Sequence, residues 1–291
     1  MSTSKSSEAP WLYTISSKHK VLDFNFKEIW RYRDLLLLFV KRDIVTVYKQ
    51  TILGPLWYLI QPLFTSVIFT LVFNNLGNIQ TGGVPPFLFN LAGITAWNYF
   101  KECLTGTSDT FVKNQNIFGK VYFPRVIMPM SVTISNLLKF GIQLAIFLGF
   151  FMYYSFTGTS IAIHWAYLPL FPVYVFMMAL LGLGLGMILS SLTTKYRDLT
   201  VLIGFGVQLL MYVSAVPYPV AEAQAKFPPM VAQCVIYNPI TQIVEGFRFM
   251  LLHSGSFSWI GFLSTLAISV VVFLLGLVVF NKTEKSFVDV V

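Results

Sequence analysis

Residues 165–193, WAYLPLFPVYVFMMALLGLGLGMILSSLT, contain no Asp, Glu, Lys or Arg in 29 positions. A helix rises about 1.5 Å per residue, so a hydrocarbon core of about 30 Å takes about 20 residues to cross. This stretch is long enough to span a bilayer. Its Gly182, Gly184 and Gly186 follow no strand, so they do not read as a phosphate-binding turn. Small residues at membrane depth instead allow helices to approach closely.

Five more apolar runs flank it, at about 56–76, 87–112, 130–157, 199–217 and 257–280. Composition agrees, with 56% hydrophobic and 11% charged residues, where a soluble domain carries about 25% charge. The chain therefore reads as an all-α membrane protein with about six transmembrane helices. Residues 1–25 form a mobile cytoplasmic leader, 26–55 an amphipathic interface segment, 56–285 the six-span domain and 286–291 a cytoplasmic tail.

Charge sets the orientation. Of the 20 Lys and Arg residues, 16 precede the first span, follow the sixth, or lie between spans two and three or four and five. The opposite loops, 77–86, 158–164 and 218–256, hold only Lys226 and Arg248. By the positive-inside rule both termini are cytoplasmic. The net charge of +8 follows from this topology and is poor grounds for nucleic-acid binding. The first apolar run, Leu35–Val40, is too short for a signal peptide and sits behind a charged segment. Cys103 and Cys234 make no disulfide framework, and His19, His164 and His253 fall in three separate regions, which argues against a shared metal site.

Before the first span, Leu37, Val40, Ile44 and Val47 recur at helical spacing, with Arg42, Asp43, Thr46, Lys49 and Gln50 opposite and Asp34 as N-cap. Such a helix lies in the membrane interface, as an anchor or as a surface that also meets a cytoplasmic partner. In span two, Glu102, Gly106 and Asp109 share a helix face. Either they line an aqueous cavity or the membrane boundary lies near residue 101, since a charge at the bilayer centre costs at least ~3 kcal/mol. Lys139 in span three reads as snorkelling to the inner interface.

The outer stretch 218–256 predicts a helical hairpin between spans five and six, re-entrant or on the surface. Its second helix opens with Asn238 as N-cap and Pro239 at the first position. That helix carries an apolar stripe of Ile240, Val244, Phe247 and Leu251, and pairs Glu245 with Arg248. A shorter helix is expected through Ala221–Phe227. Backbone of this kind at membrane depth needs protein or water around it, so the hairpin suits the outer end of a pathway.

Gly119–Lys120 lacks the upstream glycine and the Ser/Thr of a P-loop, and no nucleophile with a base can be nominated. Few spans carry ionisable groups near the midplane, which disfavours an ion-coupled carrier.

Five strings in order then carry a resemblance: Tyr48-Lys49-Gln50-Thr51-Ile52-Leu53-Gly54-Pro55-Leu56-Trp57, closed by Pro62; Gly93 through Trp97 to Phe100; Asn116-Ile117-Phe118-Gly119-Lys120-Val121-Tyr122-Phe123-Pro124-Arg125; Tyr196-Arg197-Asp198-Leu199; and Tyr237-Asn238-Pro239. Over about residues 26–285 the chain resembles type-2 ABC exporter permeases for polysaccharides, those for O-antigen and teichoic acid in particular, with capsule exporters close by.

The resemblance implies a homodimer in the bacterial inner membrane, bound to two ATP-binding subunits that carry ATP and Mg, with no cofactor in this chain. Its substrate would be a polyprenyl-pyrophosphate-linked glycan. Phe118, Tyr122, Lys195, Arg197 and Asp198 would couple to the ATPase. Arg125, with Lys120, would attract the pyrophosphate by charge-assisted hydrogen bonds, although Lys120 is equally well explained as positive-inside charge. Tyr58, Trp97, Tyr99 and Tyr212 would line the pathway, since sugar rings stack on aromatics. Tyr218, Asn238, Pro239 and Phe247 would form the outer gate. Competing readings are a drug or small-lipid exporter, a membrane-embedded glycan-processing enzyme using Glu102 and Asp109, and an ion channel, which lacks charge rings or a filter.

Overall fold

The computed structural model describes residues 26–49, 54–118, 120–121, 123–159, 161–196 and 198–288. The leader 1–25, Tyr122, Arg197 and the last residues of the tail lie outside them. Among the described residues the chain is all helix: α1 (Phe26–Arg31), α2 (Arg33–Lys49), α3 (Trp57–Phe69, continued by a π-helical segment Thr70–Leu76), α4 (Pro86–Ser108), α5 (Thr110–Phe118), α6 (Ile127–Phe156), α7 (Phe171–Thr193), α8 (Leu199–Val213), α9 (Val220–Lys226), α10 (Pro229–Tyr237), α11 (Pro239–Leu252) and α12 (Trp259–Val288).

Among the described residues four helices are long and apolar enough to cross a membrane: Trp57–Leu76, Ile127–Phe156, Leu168–Thr193 and Trp259–Glu284. They match expected spans one, three, four and six. α4 has the length, at 23 residues, but carries Asn90, Asn98, Lys101 and Glu102. It also stops at Ser108, whereas the sequence predicted one run to 112. Asp109 leaves helical geometry at φ −98°, ψ 8°, and α5 restarts with the Lys113 amide donating to the Asp109 carbonyl at 2.9 Å.

Predicted span five, 199–217, is also shorter: α8 ends at Val213 after 15 residues. Ala215 then adopts a left-handed conformation with φ 49°, and the carbonyls of the following turn are taken by a buried arginine described below. The apolar run was legible, but its helical part was not, because the turn is fixed by residues about 30 positions downstream.

Tight packing around α7 organises the bundle. An added Cβ at Gly182 would sit 2.7 Å from the Cys103 Cβ, and one at Gly186 2.6 Å from the Thr107 Cβ, both on α4. A Cβ at Gly184 would lie 2.7 Å from the Phe273 Cα on α12. The three glycines therefore let α7 lie against α4 on one side and α12 on the other, as the sequence suggested. One core cluster fills the space among α4, α7 and α11, and a second, around Phe111, Phe118, Phe123 and Phe280, closes one end of the bundle.

α2 packs on the first part of α6. Asp34 lies within its first turn, where a carboxylate suits the helix dipole, rather than at the cap. The inward residue is Phe39, while Leu37 and Leu38 are exposed, so the buried stripe differs from the predicted one.

Candidate functional site

Residues of α2, the start of α3, the end of α4, α5 and the first half of α6 line one cleft of about 460 Å³, and all but α3 bring charge to it. Arg42 and Asp43 line it from α2, Glu102 and Asp109 from the end of α4 and the break after it, and Tyr58, Lys113 and Lys139 complete the lining. Glu102 and Asp109 therefore do share a face, although a helix break separates them, and that face borders an open space.

The charges are paired by sign. The Lys139 ammonium donates to Glu102 Oε2 at 3.1 Å and lies 5.1 Å from the centroid of the Tyr58 ring. Lys101 Nζ approaches Glu102 Oε1 at 3.6 Å, and Lys113 Nζ approaches Asp109 Oδ2 at 3.0 Å. Arg42 donates to Asp43 Oδ1 at 2.9 and 2.8 Å, and the Ser131 hydroxyl reaches Asp43 Oδ2 at 3.5 Å. The cleft therefore presents cations and carboxylates side by side to whatever enters it. Sequence reasoning found Glu102, Asp109 and Lys139 but missed the contribution of α2, because its partners lie far along the chain.

At the same end, Phe118 is buried against Phe111 and Phe123, and its ring centroid is 5.2 Å from the Arg125 guanidinium. Arg125 itself is only 8% exposed. Its Nη1 donates to the Glu284 carbonyl at 3.1 Å, and its Nε lies 3.7 Å from the Glu284 carboxylate. Burial pulls its pKa below the usual arginine range, while the Glu284 carboxylate pulls it back. Arg125 thus fastens the end of α12 to the start of α6, where the sequence reading expected it to attract the lipid pyrophosphate. Lys120 is exposed, as are Lys195 and Asp198 in the turn between α7 and α8, where Lys195 Nζ lies over the Tyr196 ring at 5.4 Å.

Of the four aromatics expected to line a pathway, the structure brings only two to open surface. Tyr58 borders the cleft, and Tyr212 is 38% exposed. Trp97 and Tyr99 are 2% and 3% exposed and pack against Phe100 and Phe140. An aromatic run cannot distinguish lumen from core without its neighbours.

At the other end, α9, α10 and α11 replace the expected two-helix hairpin. The sequence missed α10, whose Pro229 stands at its first position. Asn238 caps α11 as predicted, its side-chain oxygen accepting from the Ile240 amide at 2.9 Å, and its Nδ2 also donates to Ser214 Oγ at 3.1 Å. Pro239 opens α11, and the stripe Ile240, Val244, Phe247 and Leu251 is buried. Phe247 is wholly enclosed, its ring tilted against that of Phe171 at 5.2 Å, so the structure places this expected gate residue in the core. The Tyr218 hydroxyl donates to the Tyr212 carbonyl at 2.6 Å, and burial raises its pKa.

The predicted Glu245–Arg248 pair exists at 3.3 Å, but at 0% exposure for Arg248 it is buried rather than on a surface. Arg248 Nη1 donates to the carbonyl of Ala215 at 3.0 Å, Nη2 donates to that of Val216, and the guanidinium covers the Phe89 ring. Glu245 accepts from the Ser256 amide at 3.2 Å. His164 and His253, read as unrelated, stack with ring centroids 3.5 Å apart.

The described residues thus carry a cleft of paired charges at one end, an apolar middle and a helical cap pinned by Arg248 at the other. The model of the family described as ABC-2 type transporter matches residues 34–252.

The chain belongs to the ABC-2 type transporter family.

Within that family it is 25% identical over 259 residues to an O-antigen export system permease protein RfbA of Klebsiella pneumoniae, covering 88% of this chain and 95% of that protein. It is 24% identical over 263 residues to an RfbA of Myxococcus xanthus, covering 90% of this chain and 97% of that protein. As an ABC-2 type transporter it is a multi-pass membrane protein with the role of a transport subunit. The family match ends where α11 does, so it includes the cleft, the Lys195–Asp198 turn and the Arg248 knot.

Proposed function

We propose that this chain is the permease subunit of an ABC exporter that moves an O-antigen-like, polyprenyl-pyrophosphate-linked polysaccharide across the bacterial inner membrane. The observation that carries this reading is likeness along almost the whole length of both chains to permeases named for O-antigen export. The working unit is a homodimer with two separate ATP-binding subunits, and both termini are cytoplasmic. α4 and α8 complete six spans with the four long apolar helices, α4 with Asn90 buried in the protein and Glu102 on the cleft, and α8 with help from the turn that follows it. α9–α11 form the outer cap, re-entrant from the far side.

The cytoplasmic turn with exposed Lys195 and Asp198 meets the ATPase, and Tyr58 and Tyr212 are the aromatics available to sugar rings. Lys120 is the exposed cation available to the pyrophosphate. The test is deletion of the chain in its own organism. Lipid-linked glycan should accumulate on the cytoplasmic leaflet, and surface glycan should disappear until the gene is restored. Unchanged surface glycan would overturn the reading.

A further inference from the structure

The cleft between α2, α4 and α6 carries both signs of charge in nearly equal measure, which an anion site does not need. A pyrophosphate entering it would face Asp43, Glu102 and Asp109 as well as the cations, and like charges brought together cost several kcal/mol. Charge of both signs at fixed separation fits a ligand that is itself zwitterionic.

We propose that this cleft binds the head group of a bilayer phosphatidylethanolamine, its phosphate on Arg42, Lys113 and Lys139 and its ammonium on Glu102 and Asp109. Position supports it. α2 shows Leu37 and Leu38 outward beside its charged residues, and Trp57 is exposed at the start of α3, an arrangement that lies at head-group level. Size supports it as well, because about 460 Å³ falls within the range of small-molecule sites.

The wall is also suited to a lipid. Val132, Leu138 and Ile142 line the α6 side, and Ile134 and Leu137 continue an exposed apolar surface along the same helix. Head-group atoms would meet the charges while the first acyl carbons followed α6. The internal ion pairs do not oppose binding. In each pair one side chain keeps contact with solvent, Lys113 at 66% against Asp109 at 21% and Glu102 at 37% against Lys139 at 23%, so a head group that supplies both charges can replace each lost partner with one of the same sign. A primary ammonium offers three N–H donors to the two carboxylates, whereas a choline group offers none.

The inference is independent of the export reading, since lipid selectivity can fail while deletion still abolishes surface glycan. The test is native mass spectrometry of the full chain taken from vesicles with equal phosphatidylethanolamine, phosphatidylglycerol and phosphatidylcholine. Phosphatidylethanolamine should be retained at least about tenfold over the other two. The double variant Glu102→Gln, Asp109→Asn should invert this preference toward phosphatidylglycerol, a gain that a damaged fold cannot produce. Arg42→Gln with Lys139→Gln should lose the retained phosphatidylethanolamine.

Equal retention of the three lipids, or the parent preference in both double variants, would overturn the proposal. So would displacement of phosphatidylethanolamine by an equimolar polyprenyl pyrophosphate, which would make the cleft a substrate site. Competition by soluble glycerophosphoethanolamine as effective as by the whole lipid would overturn the bilayer source.

Discussion

The Arg248 guanidinium carbon lies 3.7 Å from the centroid of the Phe89 ring. This cation–π contact ties α11 to α4, and the same guanidinium holds the carbonyls of the turn that ends α8. Gly93 on α4 makes room for it, since a side chain there would overlap the Arg248 nitrogen. One fully buried side chain therefore fixes three elements.

Removing one partner of this knot should be costly, because the other is left charged and buried. Breaking a buried pair in this way costs about 3–5 kcal/mol. Glu245→Gln and Arg248→Met should each lower the yield and the melting temperature in detergent. The double variant should recover part of the loss, since replacing both charges removes the desolvation cost together with the attraction. Thermal unfolding followed by size exclusion measures this, and additive losses would show that the two residues do not act as a pair.

The glycines of α7 give a sharper steric test. A Cβ at Gly184 would meet the α12 backbone at 2.7 Å, and backbone cannot rotate aside. Gly184→Ala should therefore separate α7 from α12 and destabilise by about 1–3 kcal/mol. Gly204 on α8 has nothing within 4 Å. Gly204→Ala should be neutral or gain about 0.5–1 kcal/mol from the lost backbone freedom of glycine in a helix. Opposite signs for the two alanines in the same melt would establish that packing, not helix propensity, governs Gly184.

How much of this was readable in the sequence depends on the range of each interaction. The apolar runs, the Asn238 cap and the Glu245–Arg248 spacing are local, and helical pitch alone predicts them. That Arg248 is buried is not local, because the carbonyls it serves belong to residues 215–218. His164 and His253 are 89 positions apart and meet only through the packing of the 161–170 segment on α11, marked by the His164 amide donating to the Met250 carbonyl at 2.9 Å. The inward turn of Trp97 and the pairing of Arg125 with Glu284 are likewise decided by neighbouring helices. Long-range geometry is the part that periodicity does not encode, and most of the candidate site is of that kind.

The turn between α7 and α8 should be sensitive to charge but not to stability. Lys195 and Asp198 are exposed, and surface substitutions away from packing are usually within about 0.5 kcal/mol. On the proposed reading, Asp198→Lys should leave the melt unchanged and still reduce export, because a charge of the wrong sign disfavours docking of the ATP-binding subunit. Co-purification of that subunit at low and high salt measures the effect. Recovery of docking at high salt is the expected signature, since screening weakens repulsion between exposed charges. Full docking by the variant at low salt would remove the turn from the interface.

Arg125 separates a clamp from a substrate contact. Its guanidinium lies over Phe118 and holds the Glu284 carbonyl, so Arg125→Gln should release the end of α12 from α6. Losing hydrogen bonds to a partly buried charge costs about 1–3 kcal/mol, which should appear as a lower melting temperature and as faster amide exchange in the last turns of α12. Export at saturating glycan should fall only as far as folded protein falls, and the glycan concentration for half-maximal export should not change. Arg125→Lys should recover little, because an ammonium lacks the planar fork that spans both the ring and the carbonyl. A variant that melts like the parent but needs more glycan would place the guanidinium on the substrate and reject the clamp.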